Sequence, residues 1–128
     1  MPGILFVDDN KNVREFCKRE LGREGYRVIL CEDGNKALQI LRKEPPDLVI
    51  MDVHMPLLNG IETARLMRAQ IPHLPIIFYT VHQEALDGGP AGMAEVQVEK
   101  SEDLTELKSQ VAQVLAWRSH RKEKEVQR

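Results

Sequence analysis

Acidic and basic side chains follow the apolar runs of this sequence where a metal or phosphoryl site would need them. Asp8 and Asp9 follow the first run, Asp52 follows the third, Thr80 follows the fourth and Lys100 comes after the fifth. Clustered carboxylates repel one another, so a site built from them needs a cation. A carboxylate can also attack phosphorus when positive charge offsets the phosphoryl oxygens. These residue types therefore indicate phosphoryl transfer to an aspartate.

The cation that suits this set of side chains best is Mg²⁺. It takes oxygen ligands, keeps several waters and commonly uses one or two carboxylates together with a phosphate. Lys100 would add a second positive charge, and the Thr80 hydroxyl could donate a hydrogen bond to a phosphoryl oxygen. Such a bond would pull its loop toward the site, so the sequence predicts a conformational switch.

Five short apolar runs predict the strands that position these side chains. The runs do not alternate with polar residues, which is typical of buried parallel strands; they cover 4–7, 28–31, 48–51, 76–79 and, more weakly, 96–98. Segments with helical spacing lie between them, so we expect a doubly wound, flavodoxin-like (βα)5 domain with a five-stranded parallel sheet. Ligands of such sheets lie beyond the carboxyl ends of the strands.

The predicted helices differ in regularity. Single apolar stripes run through four of them, formed by Val13, Phe16, Cys17 and Leu21, by Ala37, Leu38 and Leu41, by Ile61, Ala64 and Met67, and by Leu104, Leu107, Val111, Val114 and Leu115. Ser101 is the predicted N-cap of the last helix. The segment 82–94 contains Gly88, Gly89, Pro90 and Gly92, so a short or irregular fourth helix is expected.

Composition narrows the class of protein. The chain has 128 residues, a net charge of −2 and a pI near 6.1, which favours one domain and disfavours direct nucleic-acid binding. Cys17 and Cys31 lack metal-site spacing and are expected to be buried, reduced thiols. No signal-length or membrane-length apolar run is present, so a cytoplasmic protein without a membrane span is expected. Residues 118–128 are expected to form a charged tail or a linker to a possible missing output domain.

At this point the residues resemble the receiver domain of two-component response regulators. The resemblance covers residues 3 to about 117, and it rests on Asp8-Asp9, the segment LVIMDVHMPLLNG, Tyr79-Thr80 and Lys100. Four elements in order at the ends of four predicted strands form a specific pattern. The expected domain is 1–117.

The resemblance implies a role for each matching residue. Asp52 would be the phosphoacceptor, and Asp9, Asp52 and the backbone carbonyl of His54 would bind Mg²⁺ directly. Asp8 would assist through a water. Thr80 would be the switch hydroxyl and Lys100 the phosphate-binding lysine, while the loop before the third helix would be shaped by Met55, Pro56, Asn59 and Gly60.

The resemblance also implies partners. A histidine kinase or a histidine phosphotransfer protein would donate the phosphoryl group, an output domain or downstream protein would read the switch, and a homodimer is possible. Such a domain phosphorylates and dephosphorylates itself, so we do not expect an enzyme that acts on external substrates.

Several positions depart from the family's pattern. The family often places an aromatic residue where Gln97 stands, and a cis proline where Ser101 stands, so the coupling and the local loop are expected to differ. The surface formed by 82–94, the fifth strand and the last helix is the family's usual output surface, and we expect it to be unconventional here. His54 and His82 could tune phosphoryl loss, although both also fit exposed loop residues.

Other readings remain open from the sequence. A haloacid dehalogenase-like phosphohydrolase would need a second carboxylate where His54 stands, and a flavodoxin-like cofactor binder would need glycines or hydroxyls in the acidic first loop. A pseudo-receiver that binds partners without phosphorylation would not need Asp52, Thr80 and Lys100 intact. Asp47 is interpreted as a capping residue.

Overall fold

Five parallel strands form one sheet, and helices pack against both of its faces. The computed structural model describes residues 1–81 and 96–126, with side chains as far as residue 118. In chain order the elements of these residues are β1 Gly3–Val7, α1 Lys11–Arg23, β2 Arg27–Cys31, α2 Gly34–Lys43, β3 Leu48–Met51, α3 Gly60–Gln70, β4 Ile76–Thr80, β5 Val96–Glu99 and α4 Thr105–Val126. The predicted fold class is confirmed. The irregular helix predicted after β4 lies outside the described residues.

The strand order brings the ends of β1 and β3 together. The sheet runs β2-β1-β3-β4-β5, and every strand pair is parallel. Val7 at the end of β1 lies opposite Met51 at the end of β3. The chain reverses its direction of travel across the sheet between these two strands, and ligands of doubly wound sheets bind at such a point.

The core consists of two apolar layers, one on each face of the sheet. Alternation along β1 sends Ile4 and Phe6 into the layer with α1 and α4, and Leu5 and Val7 into the layer with α2 and α3. Strands that are buried on both faces have no polar side, which explains the unalternated runs in the sequence. Both cysteines are buried free thiols, Cys17 in the first layer and Cys31 in the second, as predicted.

The prediction that Ser101 is the N-cap of the last helix is wrong. Helix α4 begins at Thr105, and the Oδ1 of Asp103 accepts a hydrogen bond from the Thr105 backbone N at 2.9 Å. Ser101 Oγ instead accepts from the backbone N of Asp103 at 3.1 Å. Because Asp103 already satisfies the first helical donor, Ser101 belongs to the turn that precedes the helix.

The interpretation of Asp47 as a capping residue is also wrong. Helix α2 ends at Lys43, and Asp47 Oδ2 accepts a hydrogen bond from the backbone N of Gly3 at 2.8 Å. Its Oδ1 lies 2.8 Å from Nη1 of Arg118 in α4. The partners are distant in sequence, so Asp47 joins the amino ends of β1 and β3 to the last helix. That helix continues to Val126, so residues 118–126 of the charged tail prolong it.

Candidate functional site

The backbone positions of the predicted site residues are fixed by hydrogen bonds that continue the sheet past its strands. The backbone N of Asp52 donates to the carbonyl of Val7 at 3.0 Å, and the backbone N of Lys100 donates to the carbonyl of Thr80 at 2.9 Å. Neighbouring strand ends therefore hold these residues in register at one edge of the sheet. Sequence position alone placed them at this edge, and the structure brings them together.

Lys100 lies between two buried carboxylates. Its Nζ is 2.7 Å from Oδ2 of Asp8 and 2.9 Å from Oδ2 of Asp52. Asp8 is only 1% exposed and Asp52 6% exposed. Ion pairs at this distance interact more strongly in a buried site than at the surface, because water screens them less.

Burial and charge act on the protonation of this cluster in opposite ways. Burial raises the pKa of Asp8 above its ordinary value, although Lys100 and the backbone N–H of Asn10 partly oppose the shift. For Lys100 burial alone would lower the pKa, but the hydrogen bonds and the charges of Asp8 and Asp52 outweigh it, so the pKa is raised. The lysine therefore stays an ammonium at neutral pH.

The cluster carries more negative than positive charge, and it fits a hard metal ion. Oxygen atoms of Asp8, Asp9 and Asp52 lie within 4.8 Å of one another, against one ammonium group. The Oδ2 of Asp8 is buried, and the Lys100 ammonium lies 2.7 Å from it. Clustered carboxylates repel one another, so a further cation would stabilise this arrangement. Three oxygen donors of this kind are the ligands that Mg²⁺ prefers.

The acidic loop after β1 is held by its own contacts. Asp8 Oδ1 accepts from the backbone N of Asn10 at 2.9 Å, and Asn10 Oδ1 in turn accepts from the backbone N of Asn12 and Val13 as the N-cap of α1. The Nη1 of Arg14 donates to the backbone carbonyl of Asp8 at 2.8 Å. Sequence reasoning missed Arg14; the signal available was a basic residue one turn into the helix that follows an acidic pair.

The loop after Asp52 is packed tightly against the backbone of that residue. A Cβ atom at Gly60 would lie 2.2 Å from the Asp52 carbonyl oxygen, so only glycine fits there. The backbone N of Gly60 donates to the carbonyl of Val53 at 2.8 Å. Leu57 has φ of 70° and is 88% exposed, a strained conformation for a side chain of this size. The loop is thus shaped by residues in the segment that sequence analysis singled out.

The structure also describes Thr80, His54 and Gln97. Thr80 is buried at the end of β4, and the side chain of His54 is exposed while its backbone N donates to Asp52 Oδ1 at 3.1 Å. Gln97 is half-buried in β5, opposite Phe78. His82 and the glycine-rich segment lie outside the described residues. The metal-binding role of the His54 carbonyl stays a prediction.

A second contact that sequence reasoning missed lies beside Lys100. The hydroxyl of Tyr79 donates to the carbonyl of Ser101 at 3.2 Å and accepts from the backbone N of Ser101 at 3.3 Å. The peptide between Lys100 and Ser101 is trans. In the sequence, Tyr79 stands out only as the neighbour of Thr80. No local pattern indicates a hydrogen-bond partner 22 residues away.

The chain is similar to known proteins over most of its length. The family model described as the response regulator receiver domain matches residues 4–112. The response regulator MprA of Mycobacterium leprae is 37% identical over 115 residues, which cover 88% of this chain and 50% of that protein. MprA of Mycolicibacterium vanbaalenii is 44% identical over 77 residues, which cover 60% and 33%. The chain thus spans between a third and a half of the length of these relatives.

Solved structures are similar to about nine tenths of this chain. The response regulator TrrA of Thermotoga maritima, in complex with Mg²⁺ and BeF, aligns with a TM-score of 0.85 and 36% identity over 89% of this chain and 99% of its own. A structure of the histidine kinase ThkA in complex with TrrA aligns with a TM-score of 0.83 and 37% identity over 90% and 99%. Among the described residues, no helix is both long and apolar enough to cross a bilayer.

Proposed function

We propose that this chain, which belongs to the family of response regulator receiver domains, is switched by a phosphoryl group that Asp52 accepts in the presence of Mg²⁺. The observation that carries the proposal is the position of Lys100 between Asp8 and Asp52 at hydrogen-bonding distance of both. The lysine marks where a phosphoryl oxygen would be bound once Asp52 has reacted. The domain is a signalling switch, and its chemistry is directed at itself.

In the proposed reaction a carboxylate oxygen of Asp52 attacks the phosphorus of a phosphohistidine. An oxygen–phosphorus bond forms as the nitrogen–phosphorus bond breaks, and the histidine of the donor leaves with the electron pair. Lys100 then exchanges its contact with the Asp52 carboxylate for a contact with a phosphoryl oxygen. Because the ammonium is already positioned, little rearrangement is needed to offset the charge that develops.

The acidic residues would hold the metal. Asp9, Asp52 and the backbone carbonyl of His54 would bind Mg²⁺ directly, and Asp8 would act through a water; the ion would neutralise phosphoryl charge. The excess of carboxylates over ammonium groups in the cluster supports this assignment. Asp9 supports it as well, because it is exposed and leaves the cluster open to solvent ions.

Thr80 would report the phosphoryl group to the rest of the fold. Its side chain is buried at the end of β4, on the strand next to β3. A hydrogen bond from its hydroxyl to a phosphoryl oxygen would draw the following loop toward Asp52. Water would later cleave the acyl phosphate and reset the switch, and the exposed imidazole of His54 is near enough in sequence to influence that step.

The partners follow from the relatives. TrrA was solved with the histidine kinase ThkA, so a histidine kinase or a histidine phosphotransfer protein is the proposed donor. Residues 1–117 would form the receiver domain and 118–128 a charged tail or linker toward an output domain or partner, in the cytoplasm. A homodimer is a further proposed state.

Intact-mass analysis after incubation with acetyl phosphate tests the proposal. We expect one phosphate adduct on the wild type with Mg²⁺ and none in EDTA. Asp52→Asn should show no adduct, whereas the control Asp47→Asn should react like the wild type, because Asp47 lies at the other end of β3. If the wild type stays unmodified both with acetyl phosphate and with a phosphorylated histidine kinase, the chain is a phosphorylation-independent binding module.

A further inference from the structure

We propose that the hydroxyl of Tyr79 positions Lys100 by bracing the peptide that follows the lysine. The inference rests on the proposed function, because it assigns a supporting residue to the same site. Tyr79 does not touch the reacting atoms; it acts through Ser101. The hydroxyl contacts both the carbonyl and the backbone N of Ser101, at 3.2 and 3.3 Å.

The side chain of Tyr79 is itself held in place by packing. Its side chain is 3% exposed, and its ring meets Phe6 edge to face with 6.3 Å between the centroids. Thr80, the next residue, accepts a hydrogen bond from the backbone N of Lys100. Residues 79 and 80 of β4 therefore restrain Lys100 and Ser101 from two sides, one through a side chain and one through the backbone.

Within the described part of the chain, this loop is also held by the hydrogen bond from the backbone N of Asp103 to Ser101 Oγ. Two open grooves among the described residues are each lined by Tyr79 and Ser101; one is bordered by Phe16 of α1 and the other by Leu107 of α4. Packing alone therefore does not fix the peptide. Each contact from the hydroxyl is long for a hydrogen bond and weak by itself, so a several-fold effect is expected rather than a complete loss.

The position of the lysine makes such restraint matter. Lys100 is a flexible side chain whose Nζ must stay within reach of both Asp8 and Asp52, and a long side chain loses conformational freedom when it is held there. Small displacements of groups that stabilise charge weaken binding of the transferred group. The trans peptide after Lys100 carries no proline ring, so the hydroxyl supplies a restraint that the residue at position 101 does not.

The test uses Tyr79→Phe, which keeps the ring and deletes one oxygen, with Tyr26→Phe as the matched control. Tyr26 is the other tyrosine of the chain and packs against the same apolar layer, in the loop between α1 and β2. The ligand is beryllium fluoride with Mg²⁺, a mimic of the phosphoryl group. Its affinity is measured by calorimetry at 10 °C, with the folded fraction of each variant taken from circular dichroism. Mg²⁺ affinity is measured separately.

We expect Tyr79→Phe to bind beryllium fluoride three- to tenfold more weakly, with Mg²⁺ affinity unchanged within twofold and faster amide exchange at Ser101. Tyr26→Phe should match the wild type in all three. A purely structural role would not single out the phosphoryl mimic. Unchanged affinity in Tyr79→Phe would overturn the inference and leave the proposed function standing, whereas a wild type that binds no beryllium fluoride would overturn both.

Discussion

Strand β3 has an aspartate at each end, and the two aspartates sit in opposite electrostatic situations. Asp47 precedes the strand and has a donor for each oxygen, the backbone N of Gly3 and the guanidinium of Arg118. Asp52 follows the strand and shares one ammonium with Asp8. The first carboxylate is matched by positive charge, and the second belongs to a group with an excess of negative charge.

The difference separates a structural contact from a site. At Asp47 the charges balance, and the contact ties α4 to the sheet without needing anything further. At Asp52 the imbalance leaves three clustered carboxylates beside one ammonium group. Functional sites commonly retain arrangements that cost stability, because the ligand supplies the missing interaction. Opposite responses are therefore expected at the two ends of one strand.

The largest expected difference is between two variants that each lose a positively charged side chain, Lys100 at the carboxyl end of β3 and Arg118 at its amino end. Lys100→Met should lower the initial rate of phosphate adduct formation with acetyl phosphate by at least about tenfold, because the charge on the phosphoryl oxygens loses its partner. Arg118→Met should leave this rate unchanged within about twofold. Time-resolved intact-mass measurement gives both rates. Equal rates in the two variants would show that Lys100 does not serve the reaction.

Added Mg²⁺ should stabilise the fold only by binding at the carboxyl end of β3. At a free concentration ten times the dissociation constant, the free energy of unfolding of the wild type should rise by about 1.4 kcal/mol. Asp9→Asn should lose most of this gain, and Asp47→Asn should keep it. Urea titrations with and without Mg²⁺ measure the difference. A full gain in Asp9→Asn would place the ion elsewhere.

In EDTA, replacing one aspartate by asparagine should change the free energy of unfolding in opposite directions at the two ends of β3. Asp8→Asn should raise the free energy of unfolding by about 1 kcal/mol, because it removes a buried negative charge that Asp52 repels. Asp47→Asn should lower it by about 1 kcal/mol, because Arg118 loses its partner. Urea unfolding at pH 7 provides both values. If both variants were destabilised alike, the charge imbalance would not be the distinguishing feature.

The smallest expected effect is a pH dependence of the same comparison. Burial raises the pKa of Asp8 above its ordinary 3.8, so the folded state keeps this proton to higher pH than the unfolded state does. In EDTA the stability linked to Asp8 is present below pH 3.8 and is lost as the pH rises through 3.8 to the native pKa. The advantage of Asp8→Asn over the wild type should therefore grow from pH 3 to pH 7. A constant difference would contradict the raised pKa.

Much of the fold could be predicted because burial and sequence pattern coincide. The clearest apolar runs belong to β1, β3 and β4, which are buried along their whole length and so have no polar side. The edge strand β5 is only partly buried, and its run is weaker. Asp8, Asp52, Thr80 and Lys100 could be placed at one edge because parallel strands end together. Predicting that arrangement requires only the order of the strands and helices along the chain.

Contacts between residues far apart in sequence could not be predicted. Asp47 reaches Arg118 across 71 positions and Tyr79 reaches Ser101 across 22. Nothing in the local pattern distinguishes these partners from other polar residues. Asp47 was taken for a cap because its neighbours suggested a turn, and Arg14 was overlooked because a basic residue on a helix is usually solvated.

Chemical mapping of the phosphorylated residue tests the account most directly. The wild type is treated with acetyl phosphate and Mg²⁺, reduced with borohydride to convert an acyl phosphate to an alcohol, and digested with trypsin. Cleavage after Lys43 and Arg65 places Asp47 and Asp52 in one peptide, while Asp8 and Asp9 lie in the N-terminal one. We predict reduction at Asp52 alone. Reduction at Asp8, Asp9 or Asp47 instead would contradict the account.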